Sequence, residues 1–144
     1  MFRRYFIVFI IFGLFSCRVN PEAKAVEQAV RSYNTALIQA YRDSVLNYIT
    51  PFATDNELNK LFPQFLALDT TNSRMIAIQN KFSIKGISVA ETTATLKAEE
   101  HWTYWWEDRN TGEITKPKKE LDYKIVYNLK KVKGKWLVDS LSTF

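Results

Sequence analysis

Apolar and polar residues alternate along the segment from Leu121 to Leu129. Leu, Tyr and Ile fill the odd positions, whereas charged or amide side chains fill most of the even ones. A period of two residues is typical of a β-strand that buries one face. Trp136 and Val138 continue the apolar pattern after a polar interruption, so this region predicts two neighbouring strands with a shared buried face.

The dipeptide Lys133-Gly134 separates these two strands and predicts a tight hairpin turn. Glycine tolerates the positive φ angles that a two-residue hairpin loop requires. With this loop, we expect Leu129 to lie opposite Val138 and Tyr127 to lie opposite Ser140.

A second alternating segment, from Thr93 to Glu107, predicts the longest strand of the sheet. Its even positions are Ala94, Leu96, Ala98, Glu100, Trp102, Tyr104 and Trp106. Upstream, the apolar parity changes at Gly86, which predicts a β-bulge in a bent strand. Residues 70–80 are ambiguous between a short helix and the start of a strand. A long loop and an irregularity at Pro117 are expected to return the chain to the final hairpin.

Apolar spacings of three and four residues in the first third of the chain predict helices. The tripeptide Asn20-Pro21-Glu22 combines an N-cap, a first-turn proline and an early acid. We therefore expect a long helix that begins there and runs to about Thr50, where Pro51 stops it.

A shorter helix is predicted from Thr54 onward, because Thr54 and Glu57 have the spacing of a capping box. Pro63 is expected to kink or split this helix. The helical half and the four predicted strands, mostly antiparallel, indicate an α+β fold with a long N-terminal helix and shorter helices on a curved sheet.

Composition narrows the class of protein. The chain has 144 residues, 47% hydrophobic and 24% charged, as in one globular domain. Without Arg3 and Arg4 the net charge falls from +5 to +3, too little to indicate nucleic-acid binding. One cysteine excludes a disulfide within the chain, and one histidine without further soft ligands argues against a metal site. We expect no metal, cofactor or nucleic acid.

The first residues have the features of a secretion signal. Arg3 and Arg4 precede an apolar run from Tyr5 to Phe15, as in signal peptides. The run has about 11 residues, fewer than the roughly 20 that a membrane-spanning helix needs.

The tetrapeptide Leu14-Phe15-Ser16-Cys17 resembles the bacterial lipobox, in which the cysteine is lipidated before the signal is removed. The resemblance implies a lipoprotein signal peptide over residues 1–16 and a lipidated N-terminus with a short tether over residues 17–21. The remaining residues, 22–144, would form the folded domain, anchored to the membrane at Cys17.

The order of a long helix, shorter helices and four bent strands with aromatic inner faces resembles the nuclear transport factor 2-like fold. This cone is shared with ketosteroid isomerase and scytalone dehydratase. The likeness covers about residues 22–141, and the segments ATLKAEEHWTYWW and DYKIVYNLKKVKGKWLVDS carry it. These segments also look like lumenal domains of this superfamily in plastid-division and bacterial envelope proteins. Enzymes of the superfamily place an aspartate base and an acid or tyrosine donor inside the cone, but no motif of this sequence matches that pair.

Glu100 is the candidate functional carboxylate, because it is the one charge on the inner row of the longest strand. Tyr123 and Tyr127 are expected opposite it, and desolvation among aromatic residues would suit it to acid-base work. The alternative is that strand twist carries Glu100 to the rim of the cone or against a lysine, and we favour the rim.

Aromatic residues are expected to line the interior of the cone. The candidate pocket-lining residues are Trp102, Tyr104, Trp106, Tyr123, Tyr127 and Trp136, together with Glu100. Trp105 has the opposite parity, so it is either covered by a helix or loop or exposed as a contact for a partner. His101 also points outward, which places it on the surface and away from Glu100.

Lysines concentrate around the last hairpin: Lys116, Lys118, Lys119, Lys124, Lys130, Lys131, Lys133 and Lys135. We interpret them mainly as solvated faces and as protection of strand edges against aggregation. The alternative is attraction to an anionic surface such as phosphorylated lipid headgroups.

These patterns predict a lipid-anchored protein of the bacterial cell envelope whose cone binds a protein partner or a small apolar ligand without catalysis. Arg18 stands where an Asp would suggest inner-membrane retention, so we expect the outer membrane, facing the periplasm. One alternative is an isomerase- or dehydratase-type enzyme that uses Glu100. Another is a structural homodimer whose sheet face includes Trp105, Val126 and Leu137.

Overall fold

Residues 20–144 are described by a computed structural model, so the expected signal peptide and Cys17 lie outside the described residues. The elements, in chain order, are α1 (Pro21–Asp43), a 3-10 helix (Leu46–Ile49), α2 (Asp55–Thr70), β1 (Ser73–Val89), β2 (Thr93–Asp108), β3 (Ile114–Val132) and β4 (Lys135–Thr143). The four strands form one antiparallel sheet in the order β1-β2-β3-β4. Two helices against one four-stranded sheet confirm the predicted α+β fold.

Helix α1 begins where the sequence predicts. Asn20 caps it, because its side-chain oxygen accepts a hydrogen bond from the backbone N–H of Glu22 at 3.0 Å. The expected end at about Thr50 is wrong, because Ser44 adopts a left-handed conformation with φ 57° and ends the helix. The chain then turns into the 3-10 helix, where Ile49 is fully buried. The apolar period continues across this break because both helices bury residues in the same core.

Helix α2 begins after Thr54, as predicted, but the capping box does not form. The Thr54 hydroxyl donates to Asp139 on β4 at 2.7 Å, and the Glu57 carboxylate accepts from the Tyr33 hydroxyl at 2.7 Å. Both side chains therefore hold α2 against other elements instead of closing its first turn.

Pro63 does not split α2, which runs without interruption to Thr70. A proline removes the hydrogen bond to the carbonyl four residues earlier, here that of Asn59. Both Pro63 and Asn59 are exposed, so water can solvate the freed carbonyl.

Strand β1 includes most of the ambiguous segment 70–80. The predicted irregularity at Gly86 is confirmed by a register shift between Ile84 and Gly86. Only five residues, 109–113, separate β2 from β3, so the expected long loop is wrong. Pro117 lies within β3, next to the register shift in β2 between Tyr104 and Trp106.

The turn between β3 and β4 is the predicted one, with φ 50° at Lys133 and φ 78° at Gly134. Leu129 pairs with Val138, as expected. Tyr127 pairs with Leu141 instead of Ser140, because the register shifts after Asn128. The shift is a local irregularity of the ladder, which an alternating pattern does not reveal.

The helices cover the inner face of the sheet, and the core forms between them. Its fully buried residues include Val26 and Val30 of α1, Leu96 of β2 and Val138 of β4. None of the helices within residues 20–144 is long and apolar enough to cross a membrane.

Candidate functional site in the mouth of the cone

Glu100 lies in the core and is only 3% exposed. Its carboxylate accepts hydrogen bonds from the indole N–H of Trp102 and from the hydroxyl of Tyr127, both at 2.5 Å. The rim position that we favoured from the sequence is therefore wrong. β2 is an inner strand of the sheet, paired on both sides, and α1 packs on it, so twist does not bring this position to the edge.

Asn34 of α1 completes this network. Its side-chain oxygen lies 3.1 Å from the Tyr127 hydroxyl, and its buried side-chain nitrogen has no hydrogen-bond partner in the described part of the chain. The Tyr127 hydroxyl has one proton, which cannot serve both Glu100 and Asn34. Turning the Asn34 amide over by 180° lets its N–H donate to Tyr127 while Tyr127 donates to Glu100. In this arrangement the Tyr127 hydroxyl donates one hydrogen bond and accepts another.

The network makes Tyr127 a poor proton donor for chemistry. Burial raises the pKa of its hydroxyl, and the neighbouring Glu100 carboxylate raises it further. A second buried pair lies beside it, because the Tyr33 ring meets the Tyr127 ring edge to face with centroids 6.3 Å apart. Burial also raises the pKa of Glu57, which accepts a hydrogen bond from the Tyr33 hydroxyl.

Glu100 also borders a surface cavity of about 430 Å³ on the other face of the sheet. The lining residues are Lys81, Glu99, Glu100, His101, Asp122, Tyr123 and Lys124. Because side chains alternate between the two faces of a strand, Glu100 and Tyr123 contribute backbone to this cavity. His101 lies there beside Asp122, with its Nδ1 atom 2.8 Å from the carboxylate.

A cavity of about 310 Å³ lies on the inner side, where α1 and α2 diverge from the sheet. It is lined by Leu37, Tyr41, Gln64, Met75, Tyr104, Trp106, Lys119, Leu121 and Tyr123. A second cavity of about 410 Å³ adjoins it, since both include Gln64 and Trp106. The second is lined by Gln64, Ala67, Leu68, Thr71, Ser73, Trp106, Thr115 and Lys116. We call these two adjoining cavities the mouth groove.

The polar groups of the mouth groove are phenols, hydroxyls, one amide, one indole N–H and two lysines. The Tyr41 hydroxyl donates to the Gln64 side chain at 2.8 Å. Burial raises the pKa of Tyr41 and of Tyr104, and Tyr123 adds to the rise at Tyr104. These phenols therefore stay protonated at neutral pH.

None of the described residues that line the mouth groove has a carboxylate. The Lys116 ammonium lies 5.1 Å from the centre of the Trp106 ring, within range of a cation–π contact. Neither Lys116 nor Lys119 forms an ion pair within residues 20–144. The described residues also contain no cluster of three side chains suited to a metal ion.

The structure separates the residues that the sequence grouped as pocket-lining. Tyr104, Trp106 and Tyr123 line the mouth groove. Trp102 and Tyr127 are core residues, 3% and 1% exposed.

Trp136 lies at the opposite end of the cone, where its indole N–H donates to Glu22 at 2.9 Å. Trp105 points outward as predicted: its N–H donates to Glu107 at 2.8 Å, and Lys118 lies over its ring at 4.8 Å.

Several groove residues had no functional signal in the sequence. Tyr41 belongs to an apolar helical stripe that reads as core, and Gln64 is one polar residue within an amphipathic helix. Lys119 belongs to a run of lysines that reads as a solvated face. Only the convergence of α1, α2 and β3 brings these three residues to one groove.

An α+β cone with helices across the inner face of a four-stranded antiparallel sheet has the nuclear transport factor 2-like fold. The chain is similar to the intermembrane space region of the chloroplast protein ARC6, with a TM-score of 0.73, 14% identity, and coverage of 85% of this chain and 95% of that one. It is also similar to a ketosteroid isomerase-like protein from Erwinia carotovora atroseptica, with a TM-score of 0.50, 16% identity, and coverage of 83% and 92%.

A periplasmic fragment of TraM is a third similar structure, with a TM-score of 0.54, 10% identity, and coverage of 80% of this chain and 94% of that one. At such identities these similarities establish the fold alone. No protein-family model matches the chain, and no curated protein matches it.

Proposed function

We propose that this domain binds an apolar or aromatic group in the mouth groove without catalysis, and that a lipid on Cys17 holds it at the outer membrane. The observation that carries the proposal is the composition of the groove, in which aromatic walls surround phenols and lysines but no carboxylate. Cavities of about 300–1,000 Å³ with mainly apolar walls and a few polar groups are typical binding sites.

The position of Glu100 supports binding over acid-base chemistry. A general base must reach the proton that it abstracts, directly or through one water. The oxygens of Glu100 are engaged by Trp102 and Tyr127 in the core, and its side chain is not part of the mouth groove. The protonated phenols of the groove can donate hydrogen bonds, but they cannot act as bases at neutral pH.

The proposed anchor would orient the groove away from the membrane. Helix α1 begins at Pro21, only a few residues after Cys17. Leu37 and Tyr41, which line the groove, lie 16 and 20 residues further along α1. At 1.5 Å per residue this distance is roughly 24–30 Å. An anchored domain would thus present the groove to the periplasm.

The proposal can be tested with indole, a neutral aromatic probe, added to a protein of residues 20–144 and followed by NMR. We expect indole to shift the side-chain N–H signal of Trp106 in a saturable way. Gln64→Trp places a bulky ring between the two cavities and should abolish the shift. Asn59→Trp, on an exposed position of α2 outside the groove, is the matched control and should leave it unchanged.

The proposal would be contradicted if indole shifted only NMR signals of core residues, or if Gln64→Trp and Asn59→Trp bound indole equally. Turnover that depends on Glu100 in any isomerase or dehydratase assay would favour the enzyme alternative instead.

A further inference from the structure

The first half of β3 presents a free strand edge. Pairing between β3 and β4 begins at Ile125, so within residues 20–144 the segment Ile114–Tyr123 pairs only with β2. The β4 edge differs, because Val138 exchanges backbone hydrogen bonds of 2.9 Å with Phe52 and Thr54. A strand edge with unpaired N–H and C=O groups is a template for a further strand.

The free edge borders the mouth groove. The groove residues Thr115, Lys116, Lys119, Leu121 and Tyr123 all belong to this half of β3. Residues 114–120 are all exposed, so no helix covers the edge there. The segment Ile114–Tyr123 has ten residues, which corresponds to roughly 33 Å of strand. The free edge is therefore longer than a small molecule.

The charge of the groove specifies the chemistry of the occupant. Among residues 20–144, Lys116 and Lys119 are the only charged residues that line the groove, and neither forms an ion pair there. The opposite face of the same edge has mixed charge, because Lys118 lies over Trp105 while Glu120 and Asp122 lie beside His101. The match with carboxylates therefore rests on the groove face. An occupant with carboxylates would match the two groove lysines, while Tyr104 and Trp106 provide apolar walls for one large side chain.

We propose that the occupant is an extended acidic segment of a partner protein, which adds a strand to Ile114–Tyr123 and inserts an aromatic or large apolar side chain into the mouth groove. This inference rests on the proposed binding function and specifies the class of partner. Backbone hydrogen bonds to β3 would supply affinity, and the cavity and lysines would supply specificity. Pro117 lacks a donor, but from Lys119 to Tyr123 the N–H groups of alternate residues point away from β2 and are available to an added strand.

The test begins with a display library of random 12-residue peptides, selected on the full-length chain in detergent. We expect enrichment of peptides with several Asp or Glu residues around one aromatic residue. An enriched peptide would then be labelled with fluorescein for anisotropy. The double variant Lys116→Glu/Lys119→Glu should raise the Kd for this peptide about tenfold or more. Lys24→Glu/Lys81→Glu changes the net charge equally at exposed sites outside the groove and should change binding less than about twofold.

Backbone methylation of the peptide tests strand addition directly. Methyl groups on the alternate N–H groups that face β3 should weaken binding about tenfold, whereas methyl groups on the other N–H groups should have little effect. No enrichment, equal binding by the two lysine variants, or indifference to methylation would overturn the proposal, and the lysines would then serve only to protect the edge. Indole binding to residues 20–144 reports separately whether the groove binds an apolar group at all.

Discussion

Buried polar side chains determine how the interior of this cone is held together. Two carboxylates, Glu57 and Glu100, lie in the core at 4% and 3% exposure. Glu57 accepts a hydrogen bond from the Tyr33 hydroxyl, and Glu100 accepts one from the Tyr127 hydroxyl. The rings of the two tyrosines contact each other. Buried polar groups that are fully hydrogen-bonded specify one arrangement of a core, because every alternative leaves a donor or acceptor unpaired.

Replacement of Glu100 should show that its role is structural. Glu100→Ala leaves the buried donors of Trp102 and Tyr127 without an acceptor, so we expect a loss of about 2–4 kcal/mol in the free energy of unfolding. In Glu100→Gln, the amide oxygen can accept from Trp102 and the amide N–H can donate to Tyr127. The Asn34 amide then turns back, so that its oxygen accepts from the Tyr127 hydroxyl. We therefore expect Glu100→Gln to lie within about 1 kcal/mol of wild type in urea unfolding.

Glu99 provides the control for this series. Its side chain is 37% exposed and pairs with Lys85, so Glu99→Ala should cost less than about 1 kcal/mol. A loss for Glu100→Gln as large as that for Glu100→Ala would contradict the proposed reversal of the hydrogen bonds.

Glu57 should make stability depend on pH. Because burial raises its pKa in the folded state, ionisation of Glu57 costs more in the folded protein than in the unfolded one. This cost is absent below its ordinary value, grows as the pH rises toward the raised folded value, and then stays constant. Glu57→Gln cannot ionise, so its free energy of unfolding relative to wild type should be higher at about pH 7 than at about pH 4.

Urea unfolding of both proteins at the two pH values measures this difference. We expect the difference in free energy of unfolding between Glu57→Gln and wild type to be larger at the higher pH. If this difference is equal at both pH values, or smaller at the higher one, burial does not raise the pKa of Glu57.

At the scale of secondary-structure elements, two glycines of the sheet region have different roles, one in a turn and one in a strand. Gly134 adopts φ +78° in the turn between β3 and β4, a conformation that residues with a Cβ atom adopt at a cost. Gly86 lies at the bulge in β1, where an added Cβ would meet no atom within 4 Å. The turn therefore requires glycine, whereas the bulge does not.

Alanine at each position tests this difference. We expect Gly134→Ala to lower the free energy of unfolding by about 1–2 kcal/mol, because the left-handed conformation costs that much for a residue with a Cβ. Gly86→Ala should be neutral or slightly stabilising, because it restricts the unfolded chain without strain. Urea unfolding of both variants measures the two changes in the free energy of unfolding. Equal losses would mean that the bulge also depends on glycine.

At the scale of the whole molecule, the proposed anchor determines where the mouth groove acts. Cys17→Ser should abolish labelling with palmitate and release the protein from the membrane fraction of a bacterial host, because the thiol is the proposed acceptor of the lipid. Arg18→Asp is the matched control: it should keep the label but move the protein to fractions with inner-membrane markers. Palmitate in the Cys17→Ser variant would show that Cys17 is not the lipidated residue.

The sequence alone was sufficient for features that depend on neighbours along the chain. The alternation in β2 and β3 predicts strands because side chains on a pleated backbone point to opposite faces. Asn20 and Pro21 locate the start of α1, and Lys133-Gly134 locates the last turn, because capping and positive φ are local requirements.

Tertiary structure decided everything that depends on contacts between distant residues. Glu100 is buried because α1 covers β2 and supplies Asn34, 66 positions away, and no local pattern distinguishes that environment from an exposed rim. Ser44 ends α1 and the register shifts after Asn128, although the apolar period continues through both positions. The mouth groove exists only where both helices meet β1, β2 and β3, because a cavity is defined by the space between elements and not by the residues of any one of them. The free edge of β3 exists because β4 begins to pair with it only at Ile125.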